Sequence, residues 1–292
     1  MLIALCSDKG SPGVTTTALA LGSAWVTPVV VVEADLAGGD LAIRLRPHGA
    51  ALPETPTLLS VAAAARAHPG SNSGSNPGSN VVSRHAHRLS ARVGVVPAPI
   101  GQEQMAGIGD WEPLADALAV ALADERTDER AGERGDSEVS VLVDLGRLQG
   151  GSSVMGIAAR ADVVVVVGRP DPTSVIRLRE RLARMAGELA AVRGKPARFF
   201  PVLVSPNRHG EGNVRDLAAV LSDSPVRPFI AGCGHVALDP AAVRRLEAGE
   251  DPTGRLARTD LLRTARVLAA AVHTAARDEP SSTVAAVGGG HA

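Results

Sequence analysis

The stretch Lys9-Gly10-Ser11-Pro12-Gly13-Val14-Thr15-Thr16 holds the residues best placed to do chemistry. A short apolar run leads into it, and an Ala/Leu/Thr-rich helical pattern leads out. A glycine loop between a strand and a helix start aims several backbone N–H groups at one point, and the helix dipole adds partial positive charge there. Such a point favours a phosphate. The common phosphate-binding loop reads G-x-x-x-x-G-K-[ST], with its lysine on the phosphates and its hydroxyl on magnesium. Here Val14 stands in the lysine's place, and Thr15 keeps the hydroxyl. Of 30 basic residues only Lys9 and Lys195 are lysines, so an ammonium at the loop's entrance stands out in an arginine-rich chain. It is a compact point charge on a flexible stem, whereas a guanidinium is a planar fork. The plain reading makes Lys9 an exposed residue before a glycine turn.

Two other stretches supply carboxylates. Val29-Val30-Val31-Val32-Glu33-Ala34-Asp35 is an unbroken β-branched run ending in acids. Such a run predicts a strand covered on both faces, as in a parallel sheet. In open α/β sheets ligands sit at the carboxyl ends of strands. Val139 to Asp144 predicts a second apolar strand, ending in an acid of the kind that holds magnesium through water. Asp40, after Leu36-Ala37-Gly38-Gly39, also fits as the cap of a following helix.

Together these residues resemble the deviant phosphate loop of the ParA/MinD family, K-G-G-x-G-K-[ST]-[ST]. The match holds at Lys9, Gly10, Gly13, Thr15 and Thr16, and departs at Ser11 and Val14. Glu33 stands where the family has its first Asp, and Asp35 where it has the second. The resemblance implies ATP or ADP with Mg2+ as cofactor. It implies that Lys9 reaches a partner's phosphates across a homodimer, with Gly10, Ser11, Gly13, Val14, Thr15 and Thr16 around the nucleotide. Thr15 and Asp144 would serve the metal and Asp35 the attacking water. Asn207, after the run Phe199 to Val204, would lie on the adenine base, although an Asn beside a Pro also suits a plain turn.

The elements that must position these residues follow from the rest of the chain. Its 292 residues suffice for a sizeable core, and 2% aromatic content makes that core Ala, Val and Leu. A net charge of −1 gives no global pull toward nucleic acid or anionic membrane. Two cysteines make no disulfide framework, no leader or spanning segment is expected, and a cytoplasmic location fits. Helices are expected over 57–68, 111–125, 171–191, 239–249 and 259–277, and further strands over 92–97, 161–168, 199–204 and 226–231. The GSNSGSNPGSN tract opens a flexible loop near 69–90, and a charged loop spans 126–138. Arg84-His85-Ala86-His87-Arg88 reads as a solvated basic edge rather than a metal site. The face bearing Arg177, Arg179, Arg181 and Arg184 reads as solvated in preference to a DNA contact.

The expectation is one α/β domain over 1–277, three layers with a mostly parallel twisted sheet, then a disordered tail over 278–292. For function, the resemblance implies a nucleotide-binding switch that positions or partitions a cellular cargo through an adaptor, with weak or impaired ATP hydrolysis. A pseudo-ATPase adaptor that binds partners without nucleotide is the alternative, favoured by Val14. A small-molecule synthetase related to dethiobiotin synthetase would share the fold, with no substrate-side motif in support. DNA and membrane stay open as the surface.

Overall fold

The computed structural model describes residues 1–10, 12–67, 81–120, 139–194 and 196–278. Among them, β1 (Leu2–Ser7), β2 (Val29–Glu33), β3 (His87–Arg88), β4 (Val93–Val96), β5 (Ser140–Arg147), β6 (Val163–Gly168), β7 (Phe199–Ser205) and β8 (Gly234–Ala237) form one sheet. The order is β3-β4-β2-β5-β1-β6-β7-β8, parallel except for the β3–β4 edge.

Apolar runs form the central strands because both faces are covered. Leu2, Ala4 and Cys6 of β1 point into one core, and Met1, Ile3 and Leu5 into the other, the period of two that a strand imposes. The first core is closed by α3 (Leu58–Ala67), α4 (Val81–Arg84), α5 (Gln102–Ala106), α6 (Glu112–Val120), α7 (Met155–Arg160), α8 (Pro172–Arg193) and α9 (Asn207–Ser222). The second is closed by α1 (Val14–Ala24), α2 (Leu41–Arg44), α10 (Pro240–Glu247) and α11 (Asp260–Arg277). The expected three-layer α/β fold is therefore observed. No described helix is long and apolar enough to cross a membrane.

Local chemistry accounts for the helix starts. Asp171 accepts the Ser174 N–H at 3.0 Å with Pro172 in the first turn, and Asp239 caps α10 in the same way through Ala242.

Several expectations need correction. The last strand is not Val226 to Ala231 but β8. Arg227–Phe229 instead form a 3-10 turn around Pro228, which has no N–H to give a ladder. Strand β5 does not stop at Asp144. It runs to Arg147 through an irregularity in its pairing with β1, where Gly146 takes φ 58°. Residues 81–90 contain α4 and β3, and Val81 and Val82 are core residues, because an apolar pair beside the sheet is worth more buried than in a loop. Residues 69–80, 126–138 and the tail beyond 278 lie outside the described residues.

His85 and His87 each bond a backbone carbonyl, Val81 O and Pro56 O, both at 2.7 Å. The described residues hold no His/Cys/Asp/Glu cluster suited to a metal.

Candidate functional site

Sheet order brings the sequence-distant acids to the glycine loop. Strand β5 lies between β1 and β2, so Asp144, Asp35 and the loop after Ser7 meet at one end of three adjacent strands. That end is where the order departs from sequence and where open α/β sheets bind ligands.

The loop keeps the shape its glycines allow. Gly10 has φ 77°, and Gly13 sits left-handed at φ 99° as the N-cap of α1, its carbonyl accepting the Thr17 N–H at 2.8 Å. No neighbouring side chain crowds Gly10 within 4 Å. Ser11 lies outside the described residues. Val14 is 6% exposed and belongs to the core that α1 and α11 close, so its side chain anchors the helix start.

Asp144 is fully buried. Its Oδ1 accepts the Gly146 N–H at 2.8 Å, while Oδ2 has no hydrogen-bond partner among the described residues. Burial pushes its carboxyl up to about 6, against the pull of the Thr15 hydroxyl, the Gly146 N–H and Arg44. An orphaned carboxylate oxygen beside a hydroxyl is what a hard cation with oxygen ligands would satisfy.

Asp35 lies against Gly146: a Cβ there would fall 2.0 Å from its Oδ2. Its Oδ1 accepts the Ala37 N–H at 2.9 Å, and burial raises its carboxyl above the usual range.

Glu33 has a structural task. Its side chain is buried and accepts N–H groups from Asp40 (2.8 Å), Leu41 (3.2 and 3.3 Å) and Ala98 (3.1 Å). It therefore ties α2 and the β4 end to β2. Asp40 makes no side-chain cap; Glu33 takes that part from seven residues upstream. Gly39 is required here, since a Cβ would meet Glu33 Oε2 at 2.4 Å.

Burial and the nearby Asp144 charge raise the Glu33 carboxyl to about 8. From pH 8 down to 6.5 the folded chain takes up this proton and the unfolded chain, ordinary at 4.5, does not. Stability from this group thus rises as pH falls through that window, by about 1–2 kcal/mol. Thermal melts should show a higher Tm at pH 6.5 than at pH 8, and Glu33→Gln should shrink the difference. A Tm that climbs toward pH 8 refutes the assignment.

Arg44 was not legible in the sequence. From α2 its Nη2 donates to Thr16 Oγ1 at 2.9 Å, and it holds Glu247 of α10 through Nε (2.8 Å) and Nη2 (2.5 Å). A guanidinium thus stands on the first turn of α1, although none lies inside the loop.

Lys9 is exposed and lines two clefts, of about 300 and 580 Å3; neither includes Asp35 or Asp144. Asn207 begins α9, 3.5 Å from the His235 ring, and lines a groove of about 800 Å3 between α9, β8 and α11. No glycine-loop residue lines that groove.

No family model matches the sequence, and no curated protein matches it. Solved structures do. A ParA family ATPase from Chlorobium tepidum aligns at TM-score 0.63 and 17% identity, over 92% of this chain and 98% of the other. The Pyrococcus furiosus cell division ATPase MinD aligns at 0.61 and 16%, over 94% and 98%. The ATP complex of a Cyanothece McdA variant aligns at 0.58 and 15%, over 93% and 96%. At these identities the likeness is one of architecture: the three-layer fold of this chain is that of ParA- and MinD-type ATPases.

Proposed function

We propose that this chain is a ParA/MinD-like nucleotide-binding switch that positions an intracellular cargo or adaptor protein in the cytoplasm. ATP or ADP with Mg2+ binds at the Gly10–Gly13 loop, weakly because Val14 replaces the lysine, and hydrolysis is slow or absent. The observation that carries this reading is Asp144, buried with Oδ2 unpartnered beside Thr15 in the first turn after the glycine loop. Thr15 and Asp144 are the residues that would hold Mg2+, which when bound supplies charge neutralisation for the phosphates. Phosphate cleavage on such loops is mostly positioning and charge stabilisation. The loop amides orient the phosphates, and Asp35, raised by burial, holds the attacking water. Lys9, exposed at the rim, would reach the phosphates of a second copy. The ATP complex of the McdA relative supports the nucleotide.

A second reading, the pseudo-ATPase adaptor, gains from the latch between Arg44, Thr16 and Glu247. Titration of labelled ATP with magnesium separates the two. The switch reading expects saturable binding, weakened about tenfold by Arg44→Ala, the size of one charge-assisted contact. Absence of binding at millimolar nucleotide ends that reading. Tighter binding by R44A would mean that the latch occludes the loop, and would favour the adaptor.

A further inference from the structure

Helix α8 does not present a solvated basic face throughout. Leu178, Leu182, Met185 and Leu189 point into the core, and Arg181 is drawn in beside them at 3% exposure. Its Nη1 holds both carboxylate oxygens of Glu188, at 3.1 and 3.0 Å, and its Nε lies 4.0 Å from Asp8. Nε and Nη2 have no hydrogen-bond partner among the described residues. A guanidinium is rarely buried without its donors satisfied, because leaving them unmade is costly.

Over this group opens the cleft of about 580 Å3 that Lys9 lines, together with Arg147 at the end of β5 and Arg184 on α8. Four cations thus face two carboxylates, Asp8 and Glu188, in one concavity. Its volume lies in the range of small-molecule pockets rather than of flat protein interfaces. A planar fork with exposed cations around it matches an oxyanion's geometry and charge.

We propose that this cleft is an oxyanion site for a phosphate-bearing small molecule, distinct from the glycine loop. Glu188 is its internal stand-in, a carboxylate resting where the ligand's oxygens would bind Arg181. Arg147 and Arg184 close on the ligand from the rim. The site needs neither Mg2+ nor the groups that surround Thr15, so it stands or falls apart from nucleotide binding at the loop.

Calorimetric titration of the full chain with inorganic pyrophosphate, without magnesium, tests it. Binding is expected. Arg184→Ala, at an exposed position, should weaken it about tenfold. Glu188→Gln should tighten it severalfold, since the competing charge is removed; a merely structural Glu188 would not move affinity in that direction. Thr15→Ala should leave it unchanged. Absence of heat at millimolar pyrophosphate overturns the proposal. So does binding unaffected by R184A, binding that is not tightened by E188Q, or binding lost with T15A, which would place the anion in the glycine loop.

Discussion

Glu33→Ala is expected to lower the unfolding free energy by about 3 kcal/mol, read by denaturant melts. The substitution leaves the N–H groups of Asp40, Leu41 and Ala98 without their acceptor. A buried donor stripped of its partner costs roughly 1–3 kcal/mol. Two of these three bonds are fully buried and the third is partly so. Relief comes from removing an acid that burial has already pushed to about 8, and from water entering the space. The three losses still outweigh that relief. Glu33→Gln, which keeps one acceptor oxygen, should lose less. The consequence reaches function because the same bonds fix the segment that carries Asp35. A Glu33→Ala chain as stable as the parent would show that Glu33 holds nothing together.

Val14→Lys should raise affinity for labelled ATP at least tenfold in the presence of magnesium. A lysine here supplies the missing contact to phosphate oxygens, about 1.5–3 kcal/mol for a charge-assisted bond. Its cost falls on the fold. Val14 is 6% exposed in the α1–α11 core, and replacing its branched side chain sacrifices about 1 kcal/mol of apolar burial. The lysine stem recovers part of this by lying along the same surface while the ammonium turns to the loop. Gain of affinity with slight loss of stability is therefore the expected pair. Unchanged affinity in a folded Val14→Lys protein would mean that Val14 does not occupy the lysine's place.

What the sequence determined by itself was local. Glycines at 10 and 13 are needed where the backbone turns left-handed, and β-branched runs form strands wherever helices cover both faces. Asp171 and Asp239 start their helices by bonds that span three residues. Hence the three-layer architecture and the starts of the five bounded helices could be read in advance, while α9, expected only as a turn at Asn207, could not. Tertiary structure alone decided which distant groups share a space. Strand order seated β5 between β1 and β2, so Asp144 and Asp35 came to one end of the sheet. Pairing with β7 made a strand of Gly234–Ala237, whereas the run before it turns at Pro228 and gives β7 a single bridge at Ile230. Arg44 reached Thr16 from another helix, and Arg181, polar by sequence, was buried because its neighbours on α8 had to be. Spacing along a chain reports the period of its backbone. It does not report desolvation, which is why Glu33 stood in the place of a site acid and proved to be the clasp of the loop beside it.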